Sequence, residues 1–200
     1  MGNLWYNVYR CIGVLKLSKI QNRGILNEKS EFMYIKKLKL HDFRNYKSLN
    51  VTLTKGINII YMHKGDKITN DSFAIEALHP SSGFESDDKN EQSLVIDYRS
   101  DNVSILFTGD IGKQGIEAIL KSKSISNNYD ILKVPHHGSK YSCSIGFLNS
   151  VNAEIAIISC GYRNSYGHPH EDMIEGLKDL DCDVYRTDYM GAIIVNTSEP

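Results

Sequence analysis

The chain has 200 residues, 41% of them apolar, and 23 basic side chains against 24 acidic ones, for a formal net charge of −1. That length and apolar content suit one domain with a small appendage, and a charge this close to zero gives no argument by itself for a general electrostatic affinity for nucleic acid. The four cysteines, Cys11, Cys143, Cys160 and Cys182, have neither zinc-knuckle nor redox spacing, and no apolar run approaches the roughly 20 residues of a membrane span. The expected setting is therefore cytoplasmic, with free thiols.

Residues 1–31 show no sustained period of either kind and read as a poorly defined arm. Residues 34–40 read as a strand and 41–46 as a turn. Alternation of Leu49, Val51 and Leu53 makes 48–53 a half-exposed strand, and 57–61 is a short apolar strand after the turn at Lys55-Gly56. Lys36, Lys37, Lys39, Arg44 and Lys47 form a local basic run. It is either the solvated edge of a strand or a phosphate-binding surface that would hold DNA or a partner without catalysis.

The second half alternates. Strands are expected at 73–78, 93–98, 103–108, 130–134, 155–159, 183–187 and 192–195. Helices are expected at 115–122, where Ile116, Ile119 and Leu120 share a face, at 144–151, and around Met173, Ile174, Leu177 and Leu180 after a start near Pro169. Strands interleaved with helices make the class α/β.

Three polar motifs punctuate this half at strand ends: Phe107-Thr108-Gly109-Asp110, Pro135-His136-His137-Gly138-Ser139 and Tyr166-Gly167-His168-Pro169. Imidazole with carboxylate suits zinc, manganese or iron, and loops at a sheet edge are where sequence-distant ligands meet. In the bland reading they mark a polar sheet edge without a metal. Outside these motifs, His79 reads as a strand-end residue, His170 as a solvated or capping side chain, and Asp188 beside Gly191 as turn chemistry.

The order and neighbours of these motifs resemble the metallo-β-lactamase domain at the C-terminus of the ComEC family of DNA-uptake proteins, over about residues 65–195. The resemblance is carried by Leu78-His79-Pro80, Leu106-Phe107-Thr108-Gly109-Asp110, Leu132-Lys133-Val134-Pro135-His136-His137-Gly138-Ser139, Asn164-Ser165-Tyr166-Gly167-His168-Pro169 and Val184-Tyr185-Arg186-Thr187-Asp188. It implies an αββα sandwich, a metal-dependent hydrolysis of DNA phosphodiesters as the ancestral reaction, and zinc or manganese as the cofactor. Asp110 then resembles a bridging metal carboxylate and His168 a late ligand. His136 and His137 resemble a metal ligand and a phosphate-contacting or proton-donating neighbour, in either order. The metal set is Asp110, His137 and His168, with His136 and His137 as the catalytic pair. Asn90 and Ser139 would support the ligands.

The early His-x-His-x-Asp-His cluster of that fold does not occur. Before Pro80 the only histidines are His41, His63 and His79, and none has that spacing. The fold is thus expected to be an incomplete sandwich, mostly its C-terminal half, with one apolar sheet face left open, and with a weak or inactive metal site. Residues 33–61 instead resemble the opening of RecF and its relatives, through Met33-Tyr34-Ile35-Lys36-Lys37-Leu38, Phe43-Arg44-Asn45-Tyr46 and Gly56-Ile57-Asn58-Ile59-Ile60-Tyr61. Met62-His63-Lys64-Gly65-Asp66-Lys67 follows in place of a Gly-Lys-Ser/Thr phosphate loop, so ATP is not expected. The expected organisation is an arm (1–31), a RecF-like β segment (32–61) and a ComEC-like domain (62–200).

Overall fold

In a computed structural model, the structure describes residues 37–43, 46–52, 61–69 and 71–197. For 37–43 and 46–52 only the backbone is described. The arm 1–31 and the expected strand through 57–60 lie outside these residues.

One mixed sheet runs through the described chain. Its strands are β1 (Lys37–Phe43), β2 (Tyr46–Thr52), β3 (Lys67–Thr69), β4 (Phe73–His79), β5 (Val95–Ser100), β6 (Ser104–Phe107), β7 (Ile131–Lys133), β8 (Ile155–Ile158) and β9 (Asp183–Arg186). Their spatial order is β2-β1-β3-β4-β5-β6-β7-β8-β9. Pairing is antiparallel through β6 and parallel from β6 to β9. The helices α1 (Lys113–Ser122), α2 (Ile145–Val151) and α3 (Glu171–Lys178) fill the parallel crossovers, as parallel connections require.

The α/β class is as expected, and three local differences have plain causes. Residues 41–43 are strand and not turn, because they continue the β1–β2 ladder, with Phe43 paired to Tyr46. A short strand for which no expectation was drawn, β3, pairs with both β1 and β4. Residues 192–195 form no strand. A short helix, α4 (Thr187–Met190), follows β9, and Thr187 Oγ1 accepts from Cys160 N at 2.9 Å. Gly191 then turns the chain at φ 73°, and Ile194 is left 90% exposed.

The core lies on one side of the sheet. Val95, Leu106, Leu132 and Ala156 point to it and meet Ile116 and Ile119 of α1, Phe147, Leu148 and Val151 of α2, and Met173, Ile174 and Leu177 of α3. The helix residues recur every three or four positions, so each helix offers a single apolar stripe. Register places Ile75, Tyr98, Ile105, Ile131 and Ile155 on the opposite face. None of these five joins the helix-covered core. The sheet is thus layered by helices on one face only among the described residues.

Truncating Phe147, which is fully buried, to Ala should cost about 3–5 kcal/mol in urea unfolding. Ile194→Ala should move stability by less than about 0.5 kcal/mol. A large cost at Ile194 would mean that residues 192–195 are packed as a strand after all.

Candidate functional site

Parallel strands deliver their carboxyl ends to the same edge of a sheet, which is where open α/β sheets bind ligands. Here four chain segments leave that edge together: 108–112 after β6, 134–142 after β7, 159–170 after β8 and 187–190 after β9. The three polar motifs lie on the first three.

Each segment is held by its backbone. Gly109 turns at φ 57°, close enough to Ser93 that a Cβ there would stand 2.8 Å from the serine's Cβ. Asp110 N–H then donates to Ser93 Oγ at 3.1 Å. Glu91, buried behind this turn, accepts from Gly112 N at 3.2 Å and Gly115 N at 2.7 Å, and so caps the start of α1. A carboxylate at a helix N-terminus satisfies free N–H groups and the helix dipole at once. His79 Nε2 donates to the Glu91 carbonyl at 2.7 Å, so the expected strand-end histidine is a buried brace for this turn. Its neighbour Asn90 uses its own N–H on Asp88 at 2.9 Å.

The histidine pair follows a different rule. His136 and His137 both sit at positive φ, 46° and 57°, a region costly for a residue with a Cβ and one that clusters at functional sites. Gly138 makes the next step possible at φ 83°. It approaches Pro169 so closely that a Cβ would lie 2.5 Å from the proline's Cβ. His170 N donates to Gly138 O at 2.9 Å across the same contact. This close approach brings the pair against His168. Ser139 is buried and accepts from Tyr141 N at 3.3 Å, so it shapes the loop.

The expected residues do come together. The His136 and His168 ring centroids are 5.6 Å apart, and the His137 and His168 rings lie 6.3 Å apart and nearly parallel. His137 Nε2 stands 3.4 Å from Asp110 Oδ1, while its Nδ1 bonds the Ser159 carbonyl. Two residues join that sequence reasoning did not place there. Lys133 Nζ stands 3.7 Å from Asp110 Oδ1 and donates to Gly109 O at 2.8 Å. His170, expected as a solvated or capping residue, makes no side-chain cap; its ring is 5.0 Å from that of His168 and its Nδ1 accepts from Lys140 N at 3.2 Å. The signal for Lys133 was its place as the last residue of β7, two positions before the histidine motif. Asp188, expected in a turn, lies in the short helix α4 and is held by Arg186 Nη2 at 2.7 Å.

Burial works to raise the Asp110 pKa. The hydrogen bond from His137 and the charge of Lys133 outweigh it and hold the carboxyl far below the usual carboxylate range. His136 and His168 are both pushed below the ordinary imidazole value, chiefly by burial. At neutral pH Asp110 is a carboxylate beside the Lys133 ammonium, and the lowered pKa values of His136 and His168 favour their neutral forms.

The donor chemistry would suit zinc or manganese, but the arrangement does not fit. Among the described residues no three His, Cys, Asp or Glu side chains converge on one point. The ammonium of Lys133 is already at Asp110, where a bridged cation would need the carboxylate.

These shifts fix the sign of a pH effect. A folded-state pKa lowered below its unfolded value gives stability that is complete above the unfolded value and lost as pH falls toward the folded one. For His136 and His168 the loss begins near the ordinary imidazole value of 6.5; for Asp110 it begins near 3.8. Urea midpoints should therefore drop between pH 7.5 and 5 and again below pH 4 (about the unperturbed pKa values). The double variant His136→Gln, His168→Gln should shrink the first step, leaving the share of the buried His79, whose pKa is also lowered by burial, and keep the second. An unchanged first step would contradict the assignment.

No family model matches the chain. Over 152 residues it is 32% identical to ComE operon protein 3 of Bacillus subtilis, covering 75% of this chain and 19% of that protein. It is 34% identical over 123 residues to competence protein ComA of Neisseria gonorrhoeae, 62% of this chain and 18% of that one. It is 34% identical over 107 residues to recombination protein 2 of Haemophilus influenzae, 54% of this chain and 13% of that one. The chain thus spans less than a fifth of the length of these curated relatives. Among solved structures it is similar to one described as a metal-dependent hydrolase of Parabacteroides distasonis, with TM-score 0.40, 15% identity, and 64% and 56% of the two chains covered. Another is described as a zinc-dependent hydrolase of the metallo-β-lactamase superfamily from Thermotoga maritima, with TM-score 0.38, 16% identity, and 64% and 61% covered.

Proposed function

This chain carries a ComEC-like domain, and on that premise we propose that it has the metallo-β-lactamase fold and is a DNA-contacting relative of the DNA-uptake hydrolases whose own phosphodiester hydrolysis is weak or absent. The observation that carries this reading is the state of Asp110. Its carboxylate is engaged by Lys133 and His137, and the imidazoles around it stack without converging on one point. A two-metal hydrolase needs ligands that clamp both the attacking and the leaving oxygen. Those ligands belong to the early motif that this sequence lacks.

What remains suits binding. His136, His168 and His170 offer imidazole nitrogens at one mouth, with Asp110 balanced by Lys133. A phosphodiester is a single negative charge with strong acceptor oxygens, and such donors hold it without cleaving it.

Incubation of the purified chain with plasmid and oligonucleotide DNA in manganese or zinc should give cleavage at the background rate, with Asp110→Ala indistinguishable from the parent. Robust, metal-dependent cleavage that is lost in Asp110→Ala would overturn the inactive reading.

A further inference from the structure

The same sheet edge carries a second chemistry that the histidine cluster does not use. Four tyrosines stand on it almost fully in solvent: Tyr141 (73% exposed), Tyr162 (67%), Tyr166 (77%) and Tyr189 (73%). They come from the segments after β7, β8 and β9, which the parallel register sets side by side. A tyrosine this exposed gains nothing from the core, and large exposed rings gathered on one surface mark a binding site more often than chance placement does.

Three of the four rings already hold a cation. Lys140 Nζ lies 5.4 Å from the centroid of Tyr141, Arg163 Cζ 5.1 Å from that of Tyr162, and Arg186 Cζ 4.2 Å from that of Tyr189. A cation on one face of a ring leaves the other face free; at Tyr141 and Tyr162 it also puts positive charge beside the ring, whereas Arg186 at Tyr189 is balanced by Asp188. The fourth ring, Tyr166, stacks on His168 at 5.8 Å and 24°. His168 is in turn nearly parallel to His137. Tyr166 is thus the outer end of a row of rings that leads inward to Asp110. The acids on these four segments are Asp110 and Asp188, and each carries its own cation partner.

Aromatic faces interleaved with cations, around a polar mouth, match one ligand class. Unpaired bases stack on such rings whatever their identity, while the backbone follows the charge. A duplex keeps its bases stacked inward and offers nothing to the rings. We infer that Tyr141, Tyr162, Tyr166 and Tyr189 form a base-stacking rim that gives this domain a preference for single-stranded nucleic acid. The inference rests on the DNA-contacting reading above and names its substrate class.

The test is fluorescence anisotropy on the full chain with a labelled oligothymidine strand and a labelled duplex of equal length, with EDTA present so that no cleavage intervenes. The single strand should bind more tightly than the duplex. Each of Tyr166→Ala and Tyr189→Ala should weaken single-strand binding about five- to a hundredfold. Their Phe counterparts should stay within about twofold, since Phe keeps the stacking face. Tyr61→Ala, which removes an exposed tyrosine ahead of β3 and outside the rim, should bind as the parent does. Equal binding of strand and duplex, with the alanine variants unaffected, would overturn the rim and leave the DNA-contacting reading standing. No binding to either DNA would overturn both.

Discussion

The constraint on which this structure depends is the parallel register of β6, β7, β8 and β9. Ile105, Ile131 and Ile155 stand abreast, as do Leu106, Leu132 and Ala156 in the next row. The second row is buried under three helices, and a slip of one residue would turn it to the opposite face. With the register fixed, four successive strands must end on one edge. Every group discussed as functional leaves from that edge, so burial of small and branched apolar side chains is what assembles the polar site.

Above that frame, two close approaches set the local geometry. Gly138 meets Pro169 and ties the double histidine to the segment bearing His168. Glu91 holds the turn after Asp110 by capping α1 with a buried carboxylate. A buried acid is normally costly, and here two N–H donors and a helix N-terminus offset the desolvation. Neither device touches a ligand. Both determine where Asp110 and the imidazoles stand, and the same placement puts Lys133 against the carboxylate.

Much of this was legible in the sequence. Apolar periodicity located β4 to β9 and the three helices, because each buries one face. The three strand-end motifs did meet at one edge, as short polar punctuation after buried strands implies. The end of the chain was misread for a physical reason. Ala192-Ile193-Ile194-Val195 has strand composition, but Thr187 bonds back to Cys160 and Gly191 redirects the chain before any pairing can form. Lys133 was hidden by its strand context, since a cation at a strand end reads as a solvated edge until the facing carboxylate is known. Glu91 was hidden because its partners are backbone amides 21 and 24 residues away. The tyrosine rim had no sequence signal at all, because it draws on three segments whose adjacency comes only from the sheet.

The central claim is that Asp110 balances its charge with Lys133, beside a hydrogen bond from His137, and not with a bound metal pair. Counting the metal bound per folded chain tests this most directly, by equilibrium dialysis against micromolar zinc or manganese followed by elemental analysis. Less than one ion per chain is expected, with Asp110→Asn changing little. Two ions per chain, both lost in Asp110→Asn, would contradict it.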